Sequence, residues 1–166
     1  MNGIKNRDMD DLEIKLITSE YEFNALDELL WEVLWEPIGL PRDIRQSFMI
    51  EGEGVDLVAL SGGGVIGGLS ASWTFPMEVE LRHLAVRPEV RRRGIGSSLV
   101  KKLIALVSQR NCSIVRTISR NTSTDFFRGM GFVPSRAGNF PDHPAFKKHG
   151  ITFEMFEFKC DNIGNQ

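Results

Sequence analysis

Residues 79–107 run VELRHLAVRPEVRRRGIGSSLVKKLIALV, and this stretch decides the fold of the chain. Its first part is rich in aliphatic residues and predicts a strand over residues 79–86. An arginine-rich loop follows over residues 87–96. Leu99, Leu103 and Leu106 then recur at helical spacing, with lysines between them, which predicts an amphipathic helix. The stretch is therefore a strand–loop–helix unit.

The loop of this unit has the chemistry of an anion site. Gly94 and Gly96 carry no Cβ, so the backbone can turn tightly and bring its amides close to a ligand. The first turn of the helix leaves N–H groups without partners, and its dipole adds positive potential. A pyrophosphate bound at residues 91–97 would satisfy both.

Two other phosphate motifs are excluded by the same residues. The dinucleotide-binding fingerprint needs a third glycine, and Leu99 stands in its place, so a nucleotide-binding oxidoreductase is disfavoured. No Gly-Lys-Ser/Thr follows, which excludes a phosphate loop of the Walker type. The remaining alternative is a glycine turn that feeds a helix and carries solvated arginines.

The sequence Arg91-Arg92-Arg93-Gly94-Ile95-Gly96 matches the pattern R/Q-x-x-G-x-G/A and resembles the GCN5-related N-acetyltransferase (GNAT) family. Downstream, Asn121 and the segment FFRGMGF over residues 126–132 resemble a second motif of that family. The resemblance extends over residues 55–133, about half of the chain.

The resemblance implies a fold, an activity and a set of cofactor contacts. The implied fold is α/β (α+β), with a mixed, mostly antiparallel central sheet and helices on both faces. The implied activity is acetyl transfer from acetyl-CoA to a primary amine of a small molecule or a protein. In the family two central strands splay apart, so that backbone groups of one strand bind the pantetheine arm. The implied cofactor-binding residues are Leu84, Ala85, Val86, Arg91, Arg92, Arg93, Gly94, Ile95, Gly96, Ser97, Asn121 and Phe127.

The overall composition agrees with a globular acetyltransferase domain. A length of 166 residues predicts one domain, with residues 1–11 as a loose polar tail. The net charge of −2 argues against a nucleic-acid partner. Neither a long apolar run nor a signal-peptide core is present, which predicts a cytoplasmic protein without a membrane partner. A monomer and a homodimer both fit the sequence.

No metal site is expected. Cys112 and Cys160 lack metal-ligand spacing, and His143 and His149 have no third ligand nearby. Cys112 opens an apolar run and is expected to be a small core residue rather than a nucleophile.

The rest of the chain predicts the element order β-α-α-β-β-β-α-β-α-β-β. Ser19 and Glu22 form a capping box for the first helix, whose apolar face carries Phe23 and on which Tyr21 is expected to pack. A short helix is predicted over residues 42–49 and a long loop over residues 134–150. Gly67 and Gly68 predict a bulge or a close approach, and a shifted alternation predicts a bulge near residues 155–156.

Deprotonation of the acceptor amine requires a base. Glu80 occupies the position where histone-modifying members of the family place a general-base glutamate, so it is the first candidate. The alternative is a strand glutamate that faces solvent or pairs with Arg82. His83 is the second candidate because an imidazole titrates near neutrality, and its alternative is a hydrogen-bonded structural histidine.

The residue that would assist the departing CoA thiolate differs between this chain and the family. The family usually has a tyrosine four residues before the Gly-Phe pair, and this chain has Phe127 there. This difference keeps open a second hypothesis, a non-catalytic acyl-CoA-binding sensor. The candidate residues for the acceptor side are aromatic and loop residues, namely Trp31, Trp35, Trp73 and the loop over residues 140–149. The alternative for these aromatics is a place in the core, which is the more common one.

Overall fold

The computed structural model describes residues 11–136 and 138–160, which build one seven-stranded sheet in the order β1-β2-β3-β4-β5-β7-β6. All neighbouring pairs are antiparallel except β4 and β5, which are parallel. The strands are β1 (Glu13–Leu16), β2 (Gly54–Ser61), β3 (Gly64–Phe75), β4 (Glu78–Val86), β5 (Ile114–Arg120), β6 (Val133–Pro134) and β7 (Phe153–Lys159).

Within these described residues, four α-helices and several 3₁₀ or π-helical turns connect the strands. The α-helices are α1 (Glu20–Leu30), α2 (Ile95–Ser108), α3 (Thr124–Gly129) and α4 (Pro144–Lys148). A π-helical turn, Trp31–Trp35, extends α1. Short 3₁₀ turns lie at Glu36–Ile38, Ile44–Phe48, Pro88–Val90 and Asn121–Ser123.

The alternation of apolar residues along the strands builds one core on each face of the sheet. Leu57 packs with Leu99 and the rest of the apolar side of α2, together with aromatic residues of α3 and the turn after it. The next residue, Val58, packs with Leu26 of α1 and with Phe146 of α4. The sheet is therefore covered on both sides, as the sequence predicted.

β4 and β5 separate partway along their length. Their parallel pairing runs from Glu78 opposite Ile114 to Leu81 opposite Thr117 and covers no further residue. The Thr117 hydroxyl donates a buried hydrogen bond of 3.0 Å to the Leu81 carbonyl at the last pair. Beyond this point β4 pairs only with β3, and β5 only with β7. We call the opening beyond Leu81 and Thr117 the β4–β5 fork.

The element order and the local signals agree with the prediction at most positions. The Ser19 hydroxyl accepts a hydrogen bond from the Glu22 amide at 3.1 Å, as in a capping box, while the Glu22 carboxylate accepts from the Thr18 amide. Cys112 is buried in the core, and burial together with the neighbouring Cys160 raises its pKa to about 12. Cys112 is therefore a core residue, not a reactive thiol.

The glycine pair in β3 makes room for neighbouring side chains. A Cβ on Gly68 would stand 2.4 Å from Leu26 Cδ1, and one on Gly67 would stand 3.2 Å from Ile95 Cγ2. The bulge in this part of β3 lies one residue earlier, at Ile66, because Ala59 faces Gly67 whereas Leu60 faces Val65.

The first helix and the loop that follows it differ from the prediction. Phe23 and Tyr21 are exposed, because the buried stripe of α1 is carried by Leu26, Leu29 and Leu30. The helix predicted over residues 42–49 is a shorter 3₁₀ turn, Ile44–Phe48.

The C-terminal third also differs. The predicted loop over residues 134–150 contains α4, and the strand before it, β6, has only two residues. β7 pairs with β5 in one unbroken register, so the bulge predicted near residues 155–156 is wrong. Met155 and Phe156 are both buried because the sheet is covered on both faces at this strand.

The predicted tail lies outside the described residues, apart from Asp11. Its carboxylate accepts hydrogen bonds from the Gly62 amide and the Ser61 hydroxyl, both at 2.9 Å, which ties Asp11 to the β2–β3 turn. Over residues 11–136 and 138–160, no helix has the length and apolar character that crossing a membrane requires.

Candidate active site

A bulge in β4 sets the direction of the side chains beside the fork. Ser70 of β3 faces His83 whereas Ala71 faces Leu81, so Arg82 is the extra residue. After the bulge, Leu84 packs against the core on the α2 side and Ala85 packs into the core on the α1 side. His83 is therefore turned towards α1 and its π-helical extension.

An outer cleft of about 600 Å³ opens along the fork beside the start of α2. Its walls come from the π-helical turn, the end of β4, the loop before α2 and the segment after β5. The lining residues are Val33, Leu34, Leu84, Ala85, Val86, Val90, Arg91, Arg92, Gly94, Ile95, Gly96, Ser97, Arg120, Thr122, Ser123 and Phe126.

The start of α2 is arranged as an anion site within this cleft. Gly94 adopts a left-handed conformation with φ of +79° and caps the helix without any side-chain hydrogen bond. The amides of the first turn, at Ile95, Gly96 and Ser97, are therefore available to a ligand. A Cβ on Gly96 would stand 3.5 Å from the Phe126 ring, so this glycine keeps the cleft open on that side.

An inner pocket of about 100 Å³ lies at the fork and shares five lining residues with the outer cleft, namely Leu34, Leu84, Arg120, Ser123 and Phe126. Most of its wall is apolar and aromatic. Its other lining residues are Trp35, Phe48, Leu81, Arg82, His83, Thr117, Ile118, Ser119, Phe127, Pro141, Phe146 and Phe153. The two cavities are therefore adjacent at the fork, and the outer cleft is the larger of the two.

His83 is the titratable residue of the inner pocket with the strongest perturbation. Burial, reinforced by the positive charges of Arg45, Arg82 and Arg120, holds the pKa of His83 well below its usual value of 6.5. Its imidazole is therefore neutral at neutral pH. The ring meets Trp35 edge to face, and its buried Nδ1 atom has no hydrogen-bond partner within the part of the chain that the structure describes.

Glu80 lies on the same strand but outside the lining of both cavities. Its carboxylate is mostly shielded from solvent and stands 3.5 Å from the Arg82 guanidinium. Burial raises the pKa of Glu80, and the charges of Arg82 and Arg116 oppose that rise. Arg82 is itself held by two hydrogen bonds to the Phe48 carbonyl, at 3.1 and 2.8 Å.

Arg120 stands where the two cavities meet. It ends β5, and its guanidinium donates a hydrogen bond of 2.7 Å to the Leu34 carbonyl in the π-helical turn. The guanidinium also lies 5.9 Å from the centre of the Phe146 ring. Burial lowers the pKa of Arg120. The wider turn of a π-helix leaves a carbonyl free to accept this bond.

The structure brings together most of the residues that the sequence singled out. Leu84, Ala85 and Val86 line the outer cleft together with Arg91, Arg92 and residues 94–97. His83 and Phe127 line the inner pocket. Trp35 and Phe146, both in segments expected to form the acceptor side, lie there as well.

Other predicted residues lie outside the two cavities. Arg93 is absent from both linings, and so is Asn121. The Asn121 side-chain amide instead donates a hydrogen bond of 3.3 Å to the Gly150 carbonyl, and its oxygen accepts one of 3.2 Å from the Thr152 backbone amide. Trp31 donates to the Leu40 carbonyl, and Trp73 packs against Arg110 beyond the inner pocket.

Among the residues that line both cavities, four were not predicted as site residues, namely Leu34, Arg120, Ser123 and Phe126. Arg120 and Phe126 flank the predicted Asn121 and Phe127, so their proximity to the predicted motif was the available signal. Leu34 gave no sequence signal, because its carbonyl meets Arg120 from a π-helical turn.

The family comparison agrees with this geometry. Residues 15–132 match the model of the Acetyltransferase (GNAT) family. The chain is 34% identical over 79 residues to the uncharacterized N-acetyltransferase CT2212 of Chlorobaculum tepidum. That match spans 48% of this chain and only half of the relative's length.

Solved structures share the fold at low identity. GCN5 of Tetrahymena superposes with a TM-score of 0.69 at 17% identity, over 89% of this chain and 96% of that one. A GNAT family acetyltransferase from Elizabethkingia anophelis, with acetyl-CoA bound, gives a TM-score of 0.65 at 17% identity, over 90% of this chain and 99% of that one. The family match covers well over half of the chain, and the chain therefore belongs to the GNAT family of acetyltransferases.

Proposed function

We propose that this protein transfers the acetyl group of acetyl-CoA to a primary amine of a small molecule or a protein. The observation that carries the proposal is that the outer cleft and the inner pocket adjoin each other at the β4–β5 fork and share five lining residues, so that together they offer one path. Such a path accommodates a long donor in the cleft and an acceptor in the pocket, with the reacting carbon between them.

The outer cleft has the groups that a CoA donor needs. The uncapped amides of residues 95–97 suit the pyrophosphate, and Arg91 and Arg92 add positive charge beside them. A charge-assisted hydrogen bond contributes about 1.5–3 kcal/mol, whereas an exposed ion pair contributes about 0.2–1 kcal/mol. The amides of the turn therefore contribute more to binding than either arginine head group. The Elizabethkingia relative binds acetyl-CoA in the same fold, which supports this assignment.

The inner pocket favours the reactive form of the acceptor. An ammonium group that enters it loses water and meets the positive charges of Arg82 and Arg120. Both effects lower the pKa of the acceptor and release its proton. We assign the proton to Glu80, reached through water, because the raised pKa of this carboxylate brings it closer to the working pH. His83 lines the pocket as a neutral imidazole that can hydrogen-bond the amine.

The transfer step is a direct attack. The amine lone pair forms the new C–N bond at the thioester carbonyl. As the intermediate collapses, the nitrogen loses its second proton to solvent water, and the C–S bond breaks to release the CoA thiolate. Phe127 cannot donate a proton to this thiolate. The backbone amides of the fork, which have no partner strand across the fork beyond Leu81 and Thr117, stabilise it as the anion.

An assay of acetyl transfer tests the proposal. The purified protein is incubated with acetyl-CoA and a panel of primary amines that includes amino acids, their decarboxylated counterparts and a lysine peptide. Release of free thiol is followed together with the mass of each acceptor. We expect at least one acceptor to gain an acetyl group in step with thiol release, and the Glu80→Gln variant to be strongly impaired.

The competing hypothesis of a non-catalytic acyl-CoA sensor makes the opposite prediction. Under that hypothesis acetyl-CoA binds, yet no amine increases thiol release above the rate of hydrolysis. Such a result across the whole panel would replace the enzymatic proposal with the sensor.

A further inference from the structure

Arg120 is a partly buried cation at the junction of the outer cleft and the inner pocket. Its guanidinium is fixed on one side by the 2.7 Å bond to the Leu34 carbonyl and on another by the ring of Phe146. Phe146 lines the inner pocket but not the outer cleft, so this contact holds the Arg120 charge on the side where the acceptor would bind.

Among the described residues, Arg120 differs from Arg82 and Arg45 in having no carboxylate partner. The Arg82 guanidinium has Glu80 at 3.5 Å, and the Arg45 guanidinium has Asp27 at 3.0 Å. Within residues 11–136 and 138–160, no carboxylate forms an ion pair with Arg120, and neither cavity is lined by Asp or Glu. A buried charge without a partner is costly, and an anionic group of a ligand would offset that cost.

The remainder of the inner pocket is suited to an apolar group. Ten of its lining residues are large hydrophobic side chains, namely Leu34, Trp35, Phe48, Leu81, Leu84, Ile118, Phe126, Phe127, Phe146 and Phe153. A ligand that fills this pocket therefore combines an apolar body with a single negative charge placed against Arg120.

We infer that the acceptor is a small amine that carries an apolar side chain and a carboxylate, as an apolar amino acid does, with the carboxylate paired to Arg120. This inference rests on the proposed function, since it names the acceptor of the same site. The donor phosphates have their own partners in residues 91–97, which leaves Arg120 to the acceptor. Amines with several ammonium groups are disfavoured, because they would meet arginines without any carboxylate in the lining.

Equilibrium binding tests the inference without requiring turnover. The full-length protein, with and without saturating CoA, is titrated calorimetrically with 3-phenylpropanoate and with its neutral counterpart 3-phenylpropanamide. We expect the carboxylate to bind at least about tenfold more tightly than the amide. This preference should fall below about twofold in Arg120→Met and persist in part in Arg120→Lys.

Arg110→Met is the matched control, because Arg110 lies outside both cavities in an exposed ion pair with Glu53. It should leave the preference unchanged. Equal affinities for the carboxylate and the amide in the wild-type protein would overturn the inference. So would an Arg120→Met variant that loses affinity for CoA while keeping the carboxylate preference.

The tests can distinguish a failure of the acceptor assignment from a failure of the proposed function. A protein that prefers the carboxylate but acetylates no amine would refute the enzymatic proposal and uphold the assignment of the pocket. A protein that acetylates polyamines or basic peptides in preference to amino acids would uphold the enzyme and overturn the inference.

Discussion

The indole ring of Trp35 meets the imidazole ring of His83 edge to face, with ring centroids 4.8 Å apart and an angle of 83° between the rings. Trp35 ends the π-helical turn, and His83 follows the β4 bulge, so two irregular backbone segments produce this one contact. The contact shields His83 from water and, with the surrounding arginines, keeps its ring neutral. It also fixes the wall of the inner pocket.

The neutral state of His83 predicts a loss of stability in acid. Below pH 6.5 the unfolded chain protonates this histidine while the folded protein does not, because the folded pKa is lowered. The unfolded state then binds more protons, so the free energy of unfolding falls as pH falls. Between about pH 6.5 and 5.5 the free energy of unfolding of the wild-type protein should fall by up to about 1 kcal/mol more than that of the His83→Gln variant.

Urea unfolding at several pH values checks this prediction. If the free energy of unfolding depended on pH in the same way in His83→Gln and in the wild type, the account of a neutral, shielded His83 would be contradicted.

Glu80→Gln should lower kcat by roughly 10²–10⁴-fold, because an amide cannot accept the proton of the amine. The affinity for acetyl-CoA should stay nearly unchanged, since Glu80 lies outside the outer cleft. The raised pKa of Glu80 places the acidic limb of the pH–rate profile above its usual value of 4.5, with the rate increasing as pH rises. This limb should vanish in the variant.

Glu78→Gln is the matched control for Glu80, as it removes a carboxylate two residues earlier that pairs with Arg116. The acidic limb should survive in it. An acidic limb retained in Glu80→Gln would show that His83 or solvent takes the proton instead.

Phe127→Tyr should change kcat by less than about tenfold, equivalent to about 1.4 kcal/mol in the barrier. Phe127 is buried between Phe126 and Phe132, at centroid distances of 5.0 and 5.4 Å, and the thiolate leaves as an anion without an acid at this position. Steady-state kinetics measure the change, and Phe132→Tyr reports the packing cost of a buried hydroxyl away from the cavities. A gain of about a hundredfold would show that the native protein lacks a needed acid and would favour the sensor hypothesis.

The parts of the fold that follow from local sequence were predictable. The periodicity of Leu99 and Leu103 and the glycines before them are properties of a single segment, and they predicted α2 and its anion-binding start. The capping residues Ser19 and Glu22 likewise predicted the start of α1. The resemblance then supplied the sheet and its fork.

The inner pocket could not be predicted in the same way. The bond between Arg120 and Leu34 joins residues 86 positions apart, and it depends on a π-helical turn that no local pattern signals. The register of β7 was mispredicted because burial on both faces imitates the sequence pattern of a bulge at Met155 and Phe156. Both features are set by tertiary packing.

The central claim, that the start of α2 holds the donor, is tested most directly by calorimetric titration of acetyl-CoA into the wild type and Gly94→Val. Gly94 has φ of +79° and open space around its Cβ position, so valine would strain the backbone of the binding turn without a steric clash. Left-handed backbone strain of about 1–3 kcal/mol should weaken binding by about tenfold or more. Gly63→Val imposes the same strain at φ of +80° in the β2–β3 turn and should bind acetyl-CoA as the wild type does. Unchanged affinity in Gly94→Val would contradict the assignment of the donor site.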